Sequence, residues 1–176
     1  MEKKEFDAQT ARDYCMQYGL VVGVLCSASF LCSMYGTAYL LLGHMGNLLG
    51  IVAFVTAGTL IRHYGRQMGR LTFGRSCYMA MLTYVFAIMV VAVVQYVYFR
   101  FLDGGRLGEQ VLQVLQMPEY RQWMQQMVPG QDLDELMGQM IRMTHQPERI
   151  TLQLMWMNLV FALMLLVPTA LMGSRK

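Results

Sequence analysis

The chain has 176 residues, 56% hydrophobic and 14% charged, with a mean hydropathy of +0.36 and a formal net charge of +3. A soluble domain carries about a quarter charged residues, so an ordinary soluble globule is excluded. Four prolines among abundant Leu, Val and Met likewise exclude a disordered or collagen-like chain. The composition fits an all-α integral membrane bundle forming a single domain.

Membrane spans are read from where charge is missing, because a charged side chain at the bilayer centre costs roughly 2.5–3.5 kcal/mol on insertion scales. After Lys3, Lys4, Arg12 and Asp13, nothing charged occurs from Tyr14 to Ile61. At about 1.5 Å per residue this stretch is roughly twice what one helix needs to cross a hydrocarbon core of about 30 Å, so it must fold back. Gly43-His44-Met45-Gly46-Asn47 is the predicted turn, being its polar, helix-weak interval. This gives span 1 over 17–40 and span 2 over 47–64. The apolar run of span 2, Leu48 to Ile61, is short for a full crossing. A cleavable signal peptide is not expected, since the first apolar stretch exceeds a typical h-region. Lipoprotein processing is not expected either, since Cys26 and Cys32 each follow leucine.

A basic link follows, with Arg62, Arg66, Arg70 and Arg75 and no acid, a pattern that attracts anionic lipid headgroups at about 1 kcal/mol per residue. Span 3 is placed over 76–99 and span 4 over 150–173, each an uncharged stretch long enough for one tilted helix. Tyr14, Tyr18, Tyr35, Tyr39, Tyr64, Tyr96, Tyr98 and Trp156 fall near span ends, where amphipathic rings prefer the headgroup layer. With four spans, Lys3, Lys4, Arg12, the basic link, Arg175 and Lys176 share one side, which the positive-inside rule makes cytoplasmic. Both termini are therefore expected in the cytoplasm and the 100–149 loop, which holds most of the acidic residues, outside.

That loop is patterned. Leu107, Val111, Leu112, Val114 and Leu115 form a helical stripe ended by Pro118; Tyr120, Trp123, Met124, Met127 and Val128 form a second, ended by Pro129-Gly130. A third opens on Asp132 with Glu135, a capping-box-like start, and continues through Leu133, Leu136, Met137, Met140, Ile141 and Thr144 to Pro147. The fold expected is thus a four-span bundle with an extracytoplasmic amphipathic helical segment between spans 3 and 4. That segment would cap the bundle, lie in the interface, or offer a partner the surface of Trp123, Met124, Met127, Leu136, Met137 and Met140.

No catalytic, cofactor or metal constellation emerges. Met124-x-x-Met127 and Met137-x-x-Met140-x-x-Met143 near His145 are spaced like soft copper(I) ligands, but four of these methionines lie on the apolar stripes, where packing explains them. Cys15, Cys26, Cys32 and Cys77 form no CxxC pair and read as small buried hydrophobes, while His44, His63 and His145 have no nucleophile pattern beside them. Inside the spans the polar groups are weak ones, including Ser27, Ser29, Ser33, Thr56, Thr59, Thr83, Gln95, Gln153 and Asn158, which more often bond across helices than bind substrate. The absence of embedded charge weighs against a proton- or ion-coupled carrier. Gly19-x-x-x-Gly23 and Gly46-x-x-x-Gly50 permit close helix approach, read as packing within the chain ahead of a homodimer. Nucleic acid is not an expected partner, given the small net charge and a basic cluster pressed against the membrane.

The order of Tyr18-Gly19 and Gly23, a glycine-marked turn, Arg62-His63-Tyr64 through Gly69, and Leu71-Thr72-Phe73-Gly74 opening span 3 resembles a bacterial family known as domain of unknown function 4199. Asp103-Gly104-Gly105 differs from the proline-containing exit from span 3 that the resemblance would imply. It implies a four-helix protein of the bacterial inner membrane and carries no functional residues. The expected role is structural, regulatory or partner-binding in contact with membrane lipids, alone, as a homodimer or with another membrane or envelope protein. The alternative is a small-solute or copper transporter or channel.

Overall fold

The computed structural model describes residues 8–36, 39–68, 71–127, 133–144 and 146–174. Among these nearly every residue is helical, with no strand. The helices are α1 (Ala8–Tyr35), α2 (Leu40–Met68), α3 (Phe73–Val97), α4 (Arg106–Gln116), α5 (Pro118–Met127), α6 (Leu133–Thr144) and α7 (Pro147–Ser174), and a π-helical turn, Tyr98–Leu102, continues α3. Four helices are long and apolar enough to cross a membrane: Gln9–Tyr35, Leu40–Gln67, Phe73–Leu102 and Pro147–Ser174. This is a multi-pass membrane protein.

The first hairpin turns earlier than the sequence suggests. The chain leaves α1 at Gly36 and re-enters a helix at Leu40, so residues 43–47 are helical and lie inside α2. The glycines expected to break the helix instead let two helices touch. A Cβ on Gly36 would stand 2.6 Å from the Gly43 Cα, and one on Gly46 would stand 3.0 Å from the Ser29 carbonyl oxygen. Lipid tails are as apolar as leucine, so helices in a bilayer associate by close packing rather than by expelling water. Glycine here serves that contact. The earlier start also lengthens α2 to 29 residues, which removes the shortage of apolar length in a span beginning at residue 47.

Two compact units are present, residues 1–94 with 155–176, and residues 95–154. In the first, α1 and α2 pack together. Its interior has two clusters: Ala11, Cys15, Tyr18, Ile61, Tyr64, Leu71, Met79 and Ala80, and beside the second span Val22, Ala53, Ala57, Tyr84 and Ala87. Because Ala11 and Cys15 are buried, α1 begins nine residues before the expected boundary, with Arg12 and Asp13 exposed. α7 is the least buried of the four long helices, and only Thr169, Ala170 and Gly173 of it are buried.

In the second unit, Asp103 stops the π-helical turn and starts α4. Its N–H donates to the Tyr98 carbonyl at 2.9 Å, and its carboxylate accepts the Leu107 N–H at 3.3 Å. Gly104 and Gly105 between them have φ of +57° and +90°, a region that residues with a Cβ rarely adopt. This explains the Asp-Gly-Gly exit. Met117, extended at ψ 128°, separates α4 from α5, as expected before a proline, and Pro118 opens α5 where no N–H is needed. Pro147 does the same for α7, so the last span starts three residues before the uncharged stretch.

Candidate functional site

The glycine pairs are used inside the chain, on two different helix faces. Gly19 and Gly23 of α1 meet α3: a Cβ on Gly19 would stand 2.5 Å from the Phe86 Cβ and 2.9 Å from the Thr83 carbonyl oxygen, and one on Gly23 would stand 2.8 Å from the Val90 Cβ. Gly46 and Gly50 of α2 meet α1 at Ser29 and Ser33. The Ser29 hydroxyl donates across that contact to the Gly46 carbonyl at 2.7 Å.

Two further cross-helix bonds involve residues that sequence reasoning passed over. The Ser76 hydroxyl donates to the Ala170 carbonyl at 2.9 Å, beside Gly173, whose missing side chain leaves room for Ser76 and Ile61. Tyr84 and Thr169 are joined at 2.5 Å. Since the Thr169 hydroxyl proton is directed to the Leu165 carbonyl at 2.7 Å, the Tyr84 hydroxyl is the donor. Pro168, adjacent, offers no N–H to the carbonyl four residues back, which places the polar contact at the weakest turn of α7. Of the serines and threonines singled out in the sequence, Ser27, Ser33 and Thr59 bond to their own helix backbone. These three hydroxyls are satisfied by their own helices.

The basic link is mostly helix. Arg62 and Arg66 extend α2, and Arg75 lies in the first turn of α3; Arg66 and Arg75 are exposed, whereas Arg62 is half-buried. Arg66 also complements the negative end of the α2 dipole. Arg70 lies outside the described residues, as do Lys3, Lys4, Arg175 and Lys176.

The helical segment between spans 3 and 4 divides its stripes into an inside and an outside. α4 packs against both α5 and α6. Each of the three helices buries a stripe residue, namely Leu115, Met124 and Met137. Met124 and Met137 are therefore buried, off the surface on which they were expected. Trp123 and Met127 stay exposed at 49% and 63%, Leu136 is half-buried, and the side chains of Met140, Met143 and His145 lie outside the described residues. Tyr120 supports Trp123, their ring centroids 5.6 Å apart, as residues three apart on one helix face can do. The exposed apolar residues of the segment include Leu112 and Val114 on α4 and an aromatic and methionine edge on α5. Asp132 and Pro129-Gly130 also lie outside the described residues, so the expected capping box of α6 does too.

Among the described residues no group of three or more His, Cys, Asp or Glu could hold a metal ion. The cysteines there are free thiols. Cys15 is buried and directs its Sγ to the Met79 carbonyl at 3.5 Å, while Cys26, Cys32 and Cys77 are half-buried.

A family model described as a protein of unknown function, DUF4199, matches residues 17–175, nearly the whole chain. No curated protein and no solved structure matches it.

Proposed function

The chain belongs to the DUF4199 family, and from that premise we propose that it is a non-catalytic integral membrane protein. Its working part is the 100–149 segment, which binds another membrane or envelope protein through the α5 edge. The observation that carries this reading is the division within the segment: it buries Leu115, Met124 and Met137, yet leaves Trp123 and Met127 outside. Tryptophan and methionine are over-represented where proteins dock. A photoreactive amino acid at position 123 or 127 in native membranes is expected to give one discrete adduct with the same polypeptide. A probe at Gln116, exposed on α4, is expected to give none. Adducts with lipid only, or turnover of a lipid or small molecule by the purified protein, would overturn the reading.

The same proposal sets the orientation. The cluster of Lys3, Lys4, Arg12, Arg62, Arg66, Arg70, Arg75, Arg175 and Lys176 supports both termini and the α2–α3 link in the cytoplasm of a bacterial cell, against anionic inner-membrane lipid, with the 100–149 segment outside. Gln67 and Gln122 are both exposed. Gln122→Cys should react with a membrane-impermeant maleimide on intact spheroplasts, and Gln67→Cys only after permeabilisation, above the wild-type background. The reverse pattern would refute this orientation.

A further inference from the structure

Gln139 and Arg142 near the end of α6, with Gln146 and Arg149 around the start of α7, line a cleft of about 220 Å³. A single water needs only about 10–15 Å³, so the space admits a polyatomic group. The lining brings together two guanidinium forks and two side-chain amides, each amide offering an acceptor oxygen beside its donors. Arg142 lies back along its own helix, its Nη1 3.9 Å from where a Gly138 Cβ would stand. Glu135 and Glu148 are nearby in sequence and exposed, yet no carboxylate among the described residues pairs with either arginine. Two guanidinium groups facing one cleft repel each other, and an anion between them would relieve that repulsion.

We propose that this cleft is a binding site for a phosphate group. Guanidinium presents parallel N–H donors that match two phosphate oxygens, and the glutamine amides can take the remaining ones. The level of the site in the chain favours a phospholipid headgroup as the source: the uncharged stretch of the last span begins at Ile150, immediately after Arg149, where lipid phosphates lie. The site is separate from the basic link of α2 and α3, and the inference does not rest on the protein-partner reading.

The test uses the full chain in mild detergent, titrated with phosphatidylglycerol and followed by native mass spectrometry, with inorganic phosphate titrated in parallel by calorimetry. Arg142→Gln/Arg149→Gln keeps side-chain bulk and removes both charges. Arg100→Gln/Arg106→Gln removes the same charge from exposed positions of the same unit. Phosphatidylglycerol affinity is expected to fall at least ~10-fold in the first variant and to hold in the second, since each lost charge-assisted bond is worth about that factor. If inorganic phosphate binds as tightly as the lipid and is lost in the same variant, the site stands and its ligand is a soluble phosphate. If both double variants bind lipid and phosphate like the parent, or weaken equally, the proposal fails. Thermal unfolding of each variant at the parent's temperature verifies that folding is unchanged.

Discussion

Gly19→Val is expected to destabilise the membrane unit by about 3 kcal/mol, the upper range for forcing a side chain into a filled interior. Even the first carbon added at Gly19 would stand 2.5 Å from the Phe86 Cβ and 2.9 Å from the Thr83 carbonyl oxygen. Neither atom can move by a rotamer change, because both are fixed to the α3 backbone. α1 and α3 would have to separate, giving up the close packing that holds helices together where water supplies no driving force. Valine recovers only a few tenths of a kcal/mol through helix propensity over glycine, far too little to compensate. Gly74→Val is the control, since nothing lies within 4 Å of a Cβ placed there. Thermal unfolding in detergent should separate the two by several degrees. Equal unfolding would mean that α1 does not use this face against α3, and would turn attention to Gly19 and Gly23 as a dimer contact.

How far the sequence foretells the molecule follows from the range of the physics at each place. The absence of charge over 76–99 and 150–174 acts over a whole bilayer, so helices at these positions were readable with errors of only a few residues. The hairpin between the first two spans was misplaced because Gly43 and Gly46 carry two opposite meanings. Glycine weakens a helix in isolation, but opposite Gly36 and Ser29 it is what brings the helices into contact, and that partner is invisible along the chain. Asp103-Gly104-Gly105 looked like an anomaly and is a capped left-handed turn, which a sequence signal of Asx followed by paired glycines could have indicated. The amphipathic stripes marked α4, α5 and α6 correctly as helices. They could not say which stripe residues face inward, because periodicity defines a face without its neighbour. The pairing of Arg142 with Arg149 is illegible along the chain for a related reason: a helix break at Pro147 separates them, and only the fold puts them on one cleft.

Met124→Asp should open the segment of α4 to α6 and leave the spans intact. Met124 is 7% exposed on α5, while α4 packs against both α5 and α6. A carboxylate placed there has lost its water without gaining a partner, at a cost of several kcal/mol, of which local opening recovers all but about 2–4 kcal/mol of segment stability. Proteolysis of a transiently open form follows its population, so cleavage within 106–144 should accelerate by roughly 30- to 1,000-fold. Residues 95–154 form their own compact unit, so the unfolding temperature of the other unit, which holds α1, α2 and most of the last two spans, should hold. Met124→Leu, close in volume, should cost under about 1.5 kcal/mol and change cleavage little. Trp123→Asp supplies the contrast. Its side chain is 49% exposed, so the segment should stay protease-resistant, with a stability change near 0.5 kcal/mol, while adduct formation from position 127 is lost. If Trp123→Asp instead loosens the segment as much as Met124→Asp does, the α5 edge is part of the segment's own packing and the partner surface must be sought elsewhere.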